Sequence, residues 1–372
     1  MSKRIYSLDS MRIIAMGFVV AIHTNLFRGV GTYGDIANFV IDSTGRFVVP
    51  FFFLTSGYLF ALKTLHRDPT LYVFERVRTI ASLYVFGLLL AAPVFLVGSI
   101  TQTGLDDGSL SATIGTELAG FLSPANLLYY GDSVSVILWF LPALAFSLMF
   151  VYGFVRFDKT SYLLPVSITF HVVGLFGASY TMLVDVPFEV RDALFFGFFY
   201  TSAGYILHRI DWHPSADRSR FLLGATALFA VVHVAERYAL GYVLPGSSVA
   251  DGVYTASYTI GTALVTISLF LFLLSRPTLS KNTPLPSWGK YAVGIYVVHP
   301  AVLYPLERLD QIAQLAGYDI GNTLLWHLTL TPAVFGVSLL IYIGALKVGA
   351  IEGGRVRFPR ILPFQSRQYE SN

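Results

Sequence analysis

The sequence predicts an all-α integral membrane protein, a bundle of about ten transmembrane helices with both termini in the cytoplasm. Three observations carry the prediction. The 372 residues are 55% hydrophobic and only 13% charged, with a mean hydropathy of +0.64. That is more apolar surface than the polar groups of a soluble domain can cover. Apolar runs of about 20 residues, each long enough to cross about 30 Å of hydrocarbon, recur along the chain. The connections between them alternate in charge.

Taken in order, the candidate spans are 6–28, 39–62, 78–101, 135–156, 161–181, 191–210, 220–241, 253–275, 288–307 and 325–348. The first follows Lys3 and Arg4, is long, and carries Arg and His without a small-residue cleavage site. It reads as a retained helix rather than a signal peptide. Lys63, Arg67, Arg76 and Arg78 fill the second connection, and Arg156 and Lys159 the fourth. The sixth holds Arg209, Arg218 and Arg220, and the eighth Arg276 and Lys281. The tail carries Arg355, Arg357, Arg360 and Arg367. Acidic residues occupy the odd connections: Asp106, Asp107, Glu117 and Asp132, then Asp185 and Glu189, then Asp310 and Asp319. The positive-inside rule puts the basic set in the cytoplasm. A missed or invented helix would break the alternation downstream.

One polytopic domain is expected over 1–351, followed by a basic tail over 352–372 suited to an anionic inner leaflet. The long third connection, 102–134, either lies along the outer interface or dips back into the bundle. With no cysteine, the chain has no disulfide, thiolate metal site or Cys nucleophile. No His and carboxylate positions have metal-ligand spacing, so no metal is expected. A net charge of +3 is too weak and scattered for a nucleic-acid face. The setting that fits is a multi-pass protein of the cell (plasma) membrane in contact with lipid.

Within the apolar runs, ionisable residues are functional candidates by default, because burying them is costly. Arg12 and His23 are eleven residues apart, about three turns plus 20°, so they share a helix face about 16 Å apart along the axis. Asp9, one turn before Arg12, can pair with it. The bland alternative is a snorkelling Arg12 and a satisfied core histidine. In the second span Asp42 and Arg46 have ion-pair spacing, Pro50 interrupts the ladder, and Ser56–Gly57 form a small notch that packing alone would explain. Arg76 and Arg78 open the third span, where they act as membrane anchors or as a clamp for an anionic cytosolic ligand. Trp139 and Pro142 start the fourth, and His299–Pro300 brings a second intramembrane imidazole in the ninth. His171, His233 and His327 show no matched partner.

The Arg12/His23 spacing, "FFFLTSGYL", the paired arginines entering the third span, "LWFL" and "GIYVVHP" together resemble the membrane acyltransferase 3 family. The wording is most similar to the branch containing the enterobacterial common antigen O-acetyltransferase. The resemblance runs from Leu8 to about Val348. It implies an enzyme that O-acylates a surface glycan, lipid-linked sugar or similar acceptor, with Arg12 and His23 as the essential pair. It also implies that Arg76 and Arg78 help hold acyl-CoA, by default acetyl-CoA, as a co-substrate rather than a bound cofactor.

On that expectation the nucleotide phosphates stay near the cytoplasmic arginines while the thioester reaches His23. His23 then acts as a general base or takes the acyl group itself. Arg46 or His299 would stabilise the oxyanion, with Ser56 and Trp139 lining the substrate path. Asp9 and Asp42 serve as structural support. Asp42, Glu307 and Ser56 are the candidates to orient His23. The alternative is a ten-helix transporter or flippase with an Arg- and His-lined path; a sensor or structural protein would leave the aligned pair unexplained.

Overall fold

The computed structural model describes residues 4–105, 110–184, 186–187, 190, 193–210, 214–252, 256 and 258–357. Lys3, Asp106, Asp107, Asp185, Glu189, Arg360 and Arg367 lie outside the described residues.

Apolar sequence this dense has one way to satisfy its backbone in lipid, which is to wind into helices. The chain runs α1 (Tyr6–His23), α2 (Gly31–Gly45), α3 (Val48–Thr64), α4 (Pro69–Leu105) and α5 (Leu110–Phe121). Then come α6 (Phe140–Arg156), α7 (Thr160–Ala178), α8 (Phe198–Arg209), α9 (Ser219–Tyr238) and α10 (Ile260–Ser275). The short α11 (Leu285–Trp288) precedes α12 (Ala292–Leu315) and α13 (Leu324–Lys347). A small hairpin of β1 (Ile351–Glu352) and β2 (Arg355–Val356) follows. The protein is an all-α membrane protein.

Every predicted span overlaps a helix, but the boundaries shift for local reasons. The second span is two helices, α2 and α3, that part at Arg46–Phe47. Pro50 therefore falls in the first turn of α3, where a missing N–H costs nothing, rather than breaking a continuous helix. The eighth starts at Ile260, where Thr259 and Thr262 form a capping box. Six helical segments among the described residues are long and apolar enough to cross a membrane: Gly31–Thr64, Pro69–Ile100, Val136–Arg156, Thr160–Ala178, Ala216–Val243 and Leu324–Lys347. α1 is interrupted by Asp9, Arg12 and His23, α8 and α10 are short, and the end of α12 carries Glu307, Arg308 and Asp310.

α3 runs through the core. Phe51, Phe53, Leu54 and Phe60 are fully buried on it, against Leu138, Leu141, Phe270 and Ile295 from other helices. α3 packs on α8 through paired glycines. A Cβ on Gly57 would overlap the Thr201 carbonyl, and one on Gly204 the Leu54 carbonyl, so the Ser-Gly notch is at least a packing device. Around this core Phe74, Leu89, Phe221, Val231, Leu325 and Leu340 face outward, an apolar exterior suited to lipid.

α5 and the π-helical turn Asn126–Tyr130 occupy the third connection, with Tyr129 edge-on to Phe146 of α6 at 5.0 Å. The hairpin docks on α4, where the Val356 N–H donates to Ser82 Oγ at 2.7 Å.

Candidate functional site

Helix α1 carries both residues singled out by spacing, and they open into different cavities. Near its start Asp9 accepts from Arg4 at 2.7 Å and from Arg12 at 3.4 Å. This sharing leaves the Arg12 guanidinium on the wall of a cavity of about 470 Å³. Ser56, Arg76 and Lys290 line the same cavity. Ser56 Oγ donates to the Phe52 carbonyl at 2.8 Å. The cavity thus brings three cations together. Arg78 is not among its lining residues and is exposed. At 100° per residue, two positions along α4 turn it to the far side from Arg76.

His23 is the last residue of α1. It lines a second cavity of about 100 Å³ with Arg46, Trp139, Phe140, Tyr258 and Tyr296. Its ring lies 5.4 Å from that of His299, centroid to centroid, tilted by 37°. His299 is fully buried on α12. Its Nδ1–H donates to the Tyr296 carbonyl at 2.7 Å, which assigns the proton to Nδ1 and leaves a lone pair on Nε2. Nε2 is buried with no hydrogen-bond partner among the described residues. A buried acceptor left unmet is costly, and it sits beside the imidazole that spacing had picked.

Arg46 is held in this chamber from behind. Its guanidinium meets Asp42 at 2.5 and 3.2 Å, the pair expected from i, i+4 spacing. Asp42 is shared with Arg237 of α9, whose Nη2 donates to it at 2.6 Å. Arg237 is fully buried. It also donates from Nε to Ser43 Oγ at 3.0 Å and from Nη1 to the Ala256 carbonyl.

His233, one turn earlier, bonds through Nε2 to the Ser43 carbonyl and through Nδ1 to Thr259 Oγ1, both at 3.0 Å. The expectation that His233 lacks a matched partner is therefore corrected. His171 also has a partner, bonding through Nδ1 to the Phe195 carbonyl at 3.2 Å. Glu236 accepts from the Gly261 N–H at 2.8 Å and from the Tyr180 hydroxyl. Sequence reasoning missed this network. Its signal was "HVAER", three ionisable residues at i, i+3 and i+4 inside an apolar run.

The residues considered for orienting His23 are placed elsewhere. Ser56 lines the cationic cavity, and Asp42 is engaged with two arginines. Glu307 lines a separate cavity of about 320 Å³ with Arg28, Asp35, Asp310 and His327. No hydrogen bond joins any of the three to His23 among the described residues, and His299 is the polar neighbour instead. The described residues contain no group of three or more His, Cys, Asp or Glu that could hold a metal ion.

Comparison with known proteins adds the chain's relatives. A family model described as an acyltransferase domain, that of acyltransferase 3, matches residues 5–343. A serine/alanine racemase of Enterococcus gallinarum is 25% identical over 85% of this chain and 43% of its own length. An amino-acid racemase of Enterococcus faecalis is 24% identical over 87% of this chain and 45% of its own length. The chain thus spans less than half of these curated relatives. No solved structure matches it significantly.

Proposed function

The chain belongs to the acyltransferase 3 family, and from that premise we propose that it moves an acyl group from cytosolic acyl-CoA to a hydroxyl of a surface glycan or lipid-linked sugar. Acetyl is the default acyl group. In this reading the bundle crosses the plasma membrane ten times with both termini inside. The observation that carries the reading is the pairing of a cationic cavity at Arg12 and Arg76 with a histidine chamber at His23 and His299, both opening from α1.

Arginine forks suit the diphosphate and 3′-phosphate of CoA, and Lys290 adds a third cation. The pantetheine arm is about as long as the separation of Arg12 and His23 along α1, about 16 Å by helix rise. The thioester therefore reaches the chamber while the nucleotide stays at the basic end. In this reading a turn of the His23 ring, 5.4 Å from that of His299, lets one of its N–H groups donate to the unmet Nε2 of His299 and leaves the other nitrogen as a general base. That nitrogen takes the proton of the acceptor hydroxyl as its oxygen attacks the thioester carbonyl. Arg46 faces the developing oxyanion. Collapse breaks the C–S bond, and the proton passes from His23 to the departing thiolate. Ester and free CoA result, and the base is restored.

The test uses membranes containing the wild type or His23→Ala at matched levels, supplied with radiolabelled acetyl-CoA. Label in extracted glycolipid or glycan that vanishes with His23→Ala is the expected result. Equal labelling by both, with an acceptor demonstrably present, overturns it. Counterflow of a sugar or nucleotide in liposomes without acyl-CoA would restore the transporter reading.

A further inference from the structure

Two cavities open along α1, and they share a lining residue. Among the described residues, Phe140 alone lines both the cationic cavity and the His23 chamber. Its ring is wedged edge-on to Phe53 at 5.0 Å and to Tyr296 at 5.6 Å, and tilted against Phe52 at 5.9 Å. Phe140 is the first residue of α6, directly after the 3₁₀ turn Val136–Trp139. The Tyr296 hydroxyl pins that junction, accepting from the Phe140 N–H at 3.3 Å and donating to the Ile137 carbonyl. The backbone at this point is therefore held from both sides, while the side chain ends among aromatic rings rather than in a hydrogen bond.

The two cavities differ sharply in size, about 470 Å³ against about 100 Å³. An apolar cavity of about 150 Å³ accommodates benzene, with its six heavy atoms. By that yardstick the His23 chamber, about 100 Å³ in all, holds roughly four heavy atoms, the thioester carbonyl among them. Val19, Ile22, Val48 and Val49 also line it, and close-packed apolar walls resist even one added methylene.

Resting on the acyl-transfer reading, we infer that Phe140 is the specificity-determining partition of this protein. Its ring turns aside to pass a short acyl thioester from the cationic cavity to His23, and with the chamber behind it excludes acyl groups longer than about three carbons. The ligand class is thus a short-chain acyl-CoA. The chain-length limit lies in one aromatic side chain that does not itself touch the reacting proton.

The experiment measures His23-dependent transfer in proteoliposomes supplied with extracted glycolipid. The donors are acetyl-, butyryl-, hexanoyl- and decanoyl-CoA, with wild type, Phe140→Leu and Phe140→Ala. A methylene that does not fit an apolar pocket is worth about 10- to 200-fold in kcat/KM. The wild type is therefore expected to lose at least about tenfold between acetyl and hexanoyl donors. Phe140→Ala is expected to raise hexanoyl transfer relative to acetyl by about tenfold or more, with Phe140→Leu between. Val49→Phe, which fills the chamber from the other side, is expected to abolish acetyl transfer while unacylated CoA still competes for the cationic cavity.

A flat chain-length profile in the wild type overturns the inference and leaves acyl transfer standing. So does an unchanged hexanoyl-to-acetyl ratio in Phe140→Leu, the variant that keeps an apolar core if Phe140→Ala fails to fold. Absence of His23-dependent transfer from every donor removes the acyl-transfer reading, and this inference with it.

Discussion

Arg237→Met removes a guanidinium with no exposure, keeping most of its volume. It strips one donor from Asp42, one from Ser43 Oγ and one from the Ala256 carbonyl. Two scales compete for the magnitude. Hydrogen bonds between helices in a membrane average about 0.6 kcal/mol each, which for three would give about 2 kcal/mol. Breaking a buried ion pair from one side costs about 3–5 kcal/mol, because the remaining charge is stranded. Asp42 is not wholly stranded, since Arg46 stays within 2.5 Å of it. The expected loss is therefore at the low end of the second range, about 3 kcal/mol, or roughly 150-fold in the folded-to-unfolded ratio. Titration of mixed micelles with a denaturing detergent, followed by far-ultraviolet circular dichroism, measures it. Arg237→Lys keeps the charge but not the fork and should lie between wild type and Met. A loss below about 1 kcal/mol for Arg237→Met would mean that α2 is fixed to α9 by apolar packing, and that the network is incidental.

His299→Phe should lower kcat for acyl transfer by about 10²- to 10⁴-fold with little change in donor KM, since it removes the acceptor proposed to orient the general base; steady-state kinetics separate the two constants. Arg76→Ala should raise donor KM about 10- to 100-fold, as for a lost charge-assisted hydrogen bond, and less at high salt. Arg78→Ala, on the other side of α4, should stay within about twofold in the same assay, for want of any such bond to lose. Gly57→Ala should cost at least about 1–3 kcal/mol in the detergent titration because a backbone carbonyl occupies the Cβ position. Gly17→Ala meets nothing within 4 Å and should be neutral or slightly stabilising.

Local rules carried much of this structure. Hydropathy and loop charge located a helix at each predicted span, because in lipid the backbone has few alternatives. Helical spacing gave the Asp9–Arg12 and Asp42–Arg46 pairs, both found within salt-bridge distance. It also explains, through rotation by 200° over two residues, why Arg76 and Arg78 part company. Spacing cannot see contacts between distant segments. His299 was visible as an intramembrane imidazole, but its place beside His23, 276 residues earlier in the numbering, depends on how α12 packs on α1. The Arg237–Asp42 bond closes across 195 residues. Glu307, one of three candidates to orient His23, lines another cavity.

That long closure has a bearing on how the protein is made. Asp42, in the last turn of α2, and Arg46, just past its end, are synthesised together and can neutralise one another as soon as they enter the bilayer. Arg237 leaves the ribosome 195 residues later, a delay of roughly 10–40 s at ordinary elongation rates. Through that interval Asp42 lacks its bond from Arg237, and the His23 chamber is complete only after α12 brings Tyr296 and His299. Maturation of the chamber is thus the late event in biogenesis, although the residue at its centre is among the first to be inserted.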